Sequence, residues 1–167
     1  MKLKGIDYKI LASLMNNCKV SDRQLAKILG VSQPTITRRR TKLEKDFIQA
    51  YTAIPNWAKL GFEIVALTFI HGRSREIKLG ERAKAVVKSK EWFSKEPNVV
   101  FAAAGSGMEH QGVIISVHKK YSTLADFDRR LRVEMSEYIG GTSTFIVDIN
   151  PGVISKPFHL KYLTEVE

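Results

Sequence analysis

The punctuation between residues 20 and 46 constrains the fold of this chain more than any other feature. Ser21-Asp-Arg-Gln24 has the capping-box pattern, in which Ser21 caps a helix and Gln24 reaches back to it. Leu25, Ala26, Ile28 and Leu29 are the expected buried face of that short helix. Gly30 follows at once, where a left-handed residue closes a helix at little steric cost. Ser32 is a second N-cap candidate, and Pro34 falls in the first turn of the next helix, where its missing N–H does no harm. That helix is expected over 33–45. Upstream, Ile6, Ile10, Leu11, Leu14 and Met15 form one apolar stripe, which predicts an earlier helix over 6–16. Two short helices joined by a glycine-containing turn, the second rich in basic residues, are what a helix-turn-helix requires.

The second of these helices has two jobs. At 100° per residue, Ile36 and Leu43 define the face it buries. The opposite face carries Pro34, Arg38, Thr41 and Lys45, flanked by Thr35, Thr37 and Lys42. Gln33 stands at the N-terminal end, which usually lies closest to the bases. Arg pairs bidentately with guanine and Gln with adenine, while Thr and Lys mostly serve phosphates. The candidate DNA contacts are therefore Gln33, Thr35, Thr37, Arg38, Arg39, Thr41 and Lys42, with Arg38 the first choice for a base. The wheel turns Arg39 and Arg40 toward the core side, so pairing with Asp or Glu inside the domain is the other expectation for them, or a phosphate reached by snorkelling.

Charge supports the same reading. Residues 1–60 carry 12 Lys/Arg against 4 Asp/Glu, whereas the remainder carries 15 against 13, out of a net +10 for 167 residues. A basic head on a nearly neutral body suits a polyanion partner.

Beyond residue 48 the pattern changes. Residues 48–54 look extended, Pro55 stops them, and 55–61 is the expected boundary between a domain at 1–54 and another at 62–167. Strands are expected over 62–70, 99–104, 113–117 and 143–149. Helices are expected over 76–95, with Ala83, Val86, Val87 and Phe93 near one face, and around Leu124, Phe127, Leu131 and Met135. The order β-α-β-β-α-β is that of the ferredoxin-like fold, so the chain as a whole is α+β.

Ile6 to Leu11, Ser21 to Leu29, Gly30-Val31-Ser32, Arg38-Arg39, Leu43-Glu44 and Phe47 to Ala53 resemble the Lrp/AsnC (leucine-responsive) regulators, strongly over residues 3–54 and by element order to about residue 149. The resemblance implies a winged-type helix-turn-helix, a linking strand, and a ferredoxin-like domain that forms homodimers or rings of dimers. It also implies binding of an amino-acid-like effector in many members. There are departures from the family pattern. The usual glycine after the recognition helix is missing, which leaves Asp46 for the left-handed position. Arg40 stands where an aliphatic core residue is common. Gly105, Ser106, Gly107, Met108, Glu109 and His110 are the candidate effector contacts, in a segment about two residues longer than usual and lacking the usual Asp. Backbone amides of such a loop can cradle a carboxylate, and Glu109 and His110 can meet an amine. A simple hairpin connection is the alternative.

Other chemistry finds less support. His71, His110, His118 and His159 have no second ligand at i+3 or i+4, so no metal is expected. Cys18 reads as a small packing residue, and Trp57, Trp92 and Phe93 as core or interface anchors. No catalytic residues or cofactors are expected. Siroheme decarboxylases share the two-domain architecture, but no His-Asn-Tyr loop or Trp-Phe-Thr strand matches theirs. An architectural DNA-coating protein fits the charge as well as a regulator does. With 44% hydrophobic residues, one cysteine, no signal-peptide pattern and no apolar run near the roughly 20 residues of a bilayer span, the expected compartment is the cytosol.

Overall fold

The computed structural model describes residues 3–73, 79–149 and 152–159. They divide into two units. Residues 3–54 group with 156–159, and residues 55–155 form the other unit.

In the first unit α1 is Gly5–Asn16, α2 Asp22–Leu29 and α3 Gln33–Asp46. Ile10, Leu14, Leu25, Ile36 and Leu43 are buried together between them. The box at Ser21 is reciprocal: the Gln24 amide donates to Ser21 Oγ at 3.2 Å, and the Ser21 amide to Gln24 Oε1 at 2.9 Å. Gly30 closes α2 with φ 66°, in the left-handed region.

Several local expectations are corrected. Ile28 is not part of the buried face of α2 but 67% exposed. An arc holding Leu25, Leu29 and Ala26 is centred about 100° away from it. Ser32 occupies the N-cap of α3, yet its hydroxyl pairs with that of Thr35 at 2.9 Å rather than with a backbone amide. Asp46 stays helical; the amides of Phe47 and Ile48 both donate to the Leu43 carbonyl at 2.8 Å, so the helix ends without a left-handed residue. Cys18 is exposed rather than packed. Residues 48–56 enter neither a helix nor a strand.

The second unit begins with a one-turn 3₁₀ helix, Ala58–Leu60. Then follow β1 Ile64–Gly72, α4 Leu79–Phe93, β2 Val99–Gly107, β3 His110–His118, α5 Tyr121–Glu134 and β4 Ile139–Asp148. The sheet order is β2-β3-β1-β4 with every neighbouring pair antiparallel, the ferredoxin-like arrangement. Alternation along β1 and β3 sends Ile64, Ala66 and Ile114 to one side, where they share a core with Trp92 of α4 and Leu124, Phe127 and Leu131 of α5. Trp92 also donates from Nε1 to Glu134 at 2.8 Å. The registers put Val65, Leu67, Phe69, Val113, Ile115, Phe145 and Val147 on the opposite side. No described element covers that apolar face, and Phe145 is 65% exposed.

Candidate nucleic-acid interface

The recognition face is built by α3, whose inward residues Ile36 and Leu43 are fully buried. Anchoring two residues seven apart fixes the rotation of the helix, and the outer face follows from it. Gln33, Pro34, Thr37, Arg38, Thr41, Lys42 and Lys45 are exposed there, and Thr35 is half-buried. Their hydroxyls are already engaged: Thr37 Oγ1 donates to Asp22 Oδ2 at 2.7 Å, Thr41 Oγ1 to the Thr37 carbonyl at 3.0 Å, and Thr35 shares its hydroxyl with Ser32.

The three consecutive arginines have three different environments. Arg38 faces solvent, with no hydrogen bond or ion pair among the described residues. Arg39 turns inward, its Nη1 2.8 Å from Asp7 Oδ1. Arg40 is held on three sides: Nε lies 2.9 Å from Glu44 Oε1, and Nη1 lies 3.0 Å from the Val20 carbonyl and 3.1 Å from Asp22 Oδ1. Arg39 and Arg40 therefore both carry ion pairs within the domain, which Arg38 does not. The pairing expected for both within the domain is what the structure contains.

These pairs also shift the groups that form them. Burial pushes the Asp7 carboxyl up, but the Lys4 amide and the Arg39 guanidinium outweigh it and hold it below the ordinary value. Burial weakens Arg40 as a base, while Glu44, Asp22 and Tyr51 more than restore it, so its charge is permanent. Burial and the bond to Glu44 raise Tyr51. Asp22 reads in the sequence only as part of a helix start. Nothing local signals that its two oxygens hold Thr37 and Arg40, which are 15 and 18 residues away.

The second unit corrects the expectation of a glycine-rich loop. β2 continues through Gly105 and Ser106 to Gly107, which pairs with His110, and only Met108 and Glu109 form the turn. Both have positive φ, 49° and 62°, as a two-residue type I′ hairpin demands. The register with β3 shifts between Ala104 and Gly107, so the glycines lie in an irregular stretch of strand rather than in a long loop. His110 is turned onto β1: its ring lies 3.8 Å from that of His71 and 5.4 Å from that of Phe69, centroid to centroid. Its Nδ1 bonds the Met108 carbonyl, and its Nε2 is buried without a hydrogen bond. The histidines that look scattered along the sequence thus include one pair with rings in contact and tilted by 38°, with Ser143 Oγ 3.3 Å from His71 Nε2. Among the described residues no three His, Cys, Asp or Glu side chains gather as metal ligands. An open depression lined by Lys84, Val87, Lys88, Glu91 and Tyr138 shares no residue with the hairpin.

Comparison with known proteins agrees with this geometry. The AsnC-type helix-turn-helix domain matches residues 5–44. The HTH-type transcriptional regulator FL11 of Pyrococcus furiosus is 31% identical over 144 residues, 73% of this chain and 95% of that protein. Against three other HTH-type transcriptional regulators of Pyrococcus species, the chain spans about half of their length. Among solved structures, LrpC of Bacillus subtilis superposes with a TM-score of 0.71 at 24% identity, covering 88% of this chain and 95% of that one. A Neisseria meningitidis transcriptional regulator in complex with L-Met superposes with a TM-score of 0.74 at 18% identity, over 87% and 90%.

Proposed function

The chain belongs to the Lrp/AsnC family of HTH-type transcriptional regulators, and on that premise we propose that it is a sequence-specific DNA-binding regulator acting as a homodimer or a ring of dimers. The observation that carries this reading is the division of labour on α3. Arg39 and Arg40 are consumed inside the domain, so Arg38, Gln33 and Lys42 stand exposed on a helix whose rotation is fixed. Arg38 reads a base edge, Gln33 a second one, and Lys42 with the other lysines of residues 1–60 supplies salt-dependent phosphate affinity. Thr35, Thr37 and Thr41 line the same surface.

The apolar side of the four-stranded sheet supports self-association. Leu67, Ile115 and Phe145 form part of a contiguous surface that a second copy covers in an isologous pair. Two recognition helices then address successive major grooves, about one helical turn apart. An amino-acid-like effector is the last part of the reading. The L-Met of the meningococcal complex is the precedent, and Glu109 and the contacting His71–His110 pair beside the hairpin are the groups available to such a ligand.

The test is a gel-shift titration at two salt concentrations, with the chain's own upstream region and a scrambled duplex. A complex ~10³-fold tighter on its own region supports a specific regulator. Equal, steeply salt-dependent binding to both overturns specificity and makes the protein an architectural coat. Absence of binding to either returns the enzymatic alternative.

A further inference from the structure

We propose that Arg40 is a positioning residue, which locks the recognition helix to α2 and to the segment leaving the domain at Tyr51. This rests on the reading of α3 as a DNA-recognition helix. The side chain is 19% exposed; two of its contacts tie α3 to the start of α2, and the third, within α3, leads on to Tyr51. Nη1 meets both the Val20 carbonyl and Asp22 Oδ1, at the start of α2. The other oxygen of the same carboxylate, Oδ2, accepts from Thr37 at 2.7 Å. One Asp22 thus pins α3 at two points, 37 and 40, that lie on adjacent turns. Nε meets Glu44 Oε1, and that same oxygen accepts from the Tyr51 hydroxyl at 2.8 Å. The guanidinium carbon sits 5.8 Å from the centre of the Tyr51 ring, within cation–π range.

An aliphatic residue at this place would bury comparable surface. It would not fix direction, because apolar contacts tolerate small sliding and rotation whereas charge-assisted hydrogen bonds do not. Removing Arg40 alone leaves Asp22 and Glu44 without their cation, but both carboxylates are partly solvated, so the loss of stability is smaller than for a fully buried pair. The effect then falls on orientation: displacement of Thr37 and Arg38 by about an ångström spoils base contacts while phosphate contacts adapt. Tyr51 carries the same constraint into the linking segment, so the position of that segment and the rotation of α3 are set together.

The experiment uses the full chain with Arg40→Leu, Asp22→Asn and Tyr51→Phe. The readouts are affinity for the duplex that wild type binds best, affinity for a scrambled duplex, their salt slopes, and amide exchange along α3 without DNA. The expected result for Arg40→Leu is a tenfold or greater loss on the specific duplex. Binding to the scrambled duplex stays within threefold, the salt slope is unchanged, and exchange in α3 is faster. Tyr51→Phe and Asp22→Asn move the same readouts in the same direction by a smaller factor, and they carry the test if Arg40→Leu does not fold. Wild-type behaviour of the variants in specific binding and exchange overturns the proposal. So does parallel weakening on both duplexes with a slope reduced by about one, which makes Arg40 a phosphate contact. A wild type that binds no duplex instead refutes the DNA-binding reading, and the exchange measurement still decides whether Arg40 orders α3.

Discussion

Arg39 and Asp7 form an ion pair of 2.8 Å that joins α3 to the first turn of α1, with the Asp7 carboxylate 2% exposed and the guanidinium 22%. The carboxylate also accepts from the Lys4 amide at 2.8 Å, so it fixes where α1 begins. Removing one partner leaves the other charge buried. Arg39→Ala is expected to cost about 3 kcal/mol of stability, at the lower end for such pairs because the arginine is partly solvated. Urea unfolding followed by helical circular dichroism measures it. A variant of unchanged stability that had lost only DNA affinity would reassign Arg39 to the interface.

Arg38 has the opposite circumstances, one residue away. Arg38→Ala is expected to leave the unfolding curve unchanged and to lose about 1–3 kcal/mol of discrimination at one base position. Competition binding with duplexes varied one position at a time reads this out. Uniform weakening across all sequences would make Arg38 a phosphate contact.

The hairpin turn stores strain that can be relieved. Met108 and Glu109 both adopt positive φ, which costs a non-glycine residue of this kind about 1–2 kcal/mol. Replacing them with Asn-Gly is expected to raise the unfolding free energy of the second unit by about 1–2 kcal/mol. A decrease in the urea midpoint would mean that the Met108 and Glu109 side chains make contacts worth more than the strain.

His118 should make stability pH-dependent. It is buried, 2.8 Å from Ser116 Oγ, and Asn98 lies 3.4 Å away. Burial lowers its basicity, nearby Arg130 adds to that, and Glu96 opposes it. The folded value lies below the unfolded value of about 6.5, so the unfolded chain binds the proton first. Stability is complete above about pH 6.5 and declines as the pH falls from there through the folded value. Asp7, also lowered, adds a second loss in the acid range below about pH 4. Urea midpoints between pH 8 and 5 should show the first step, and His118→Gln should flatten it.

The open face of the sheet should govern assembly. Phe145→Glu places a charge where two copies are expected to meet, and sedimentation should report a monomer with an intact fold. A dimer that survives would relocate the subunit contact to another surface.

The helices of the first unit were legible because their signals are local. A capping box, a glycine at φ 66° and a proline in a first turn each act over three or four residues, and backbone geometry alone interprets them. The element order and the ferredoxin-like sheet were legible for a similar reason, since short, largely apolar β-rich runs such as 62–70 and 113–117 announce strands locally; the alternation of burial along β1 and β3 came only from the fold. The helical wheel gave the rotation of α3, placing Arg38 opposite Ile36 and turning Arg39 and Arg40 toward the core. What it did not give was their partners. Asp7 lies 32 residues from Arg39 in the chain and Asp22 lies 18 from Arg40, and only packing three helices together brings those charges within 3.1 Å. The same limit applies at the hairpin. Gly105-Ser106-Gly107 reads as a break by composition, yet β2 runs on through it: the register with β3 shifts between Ala104 and Gly107, and Gly107 pairs again with His110, so the glycines serve an irregularity in the strand rather than a loop. The sequence determined the elements and the faces they present, since those follow from contacts within a few residues. The tertiary structure decided which arginines are paired inside the domain and which one stays in solvent, since burying a charge requires an opposite charge that distant chain must supply.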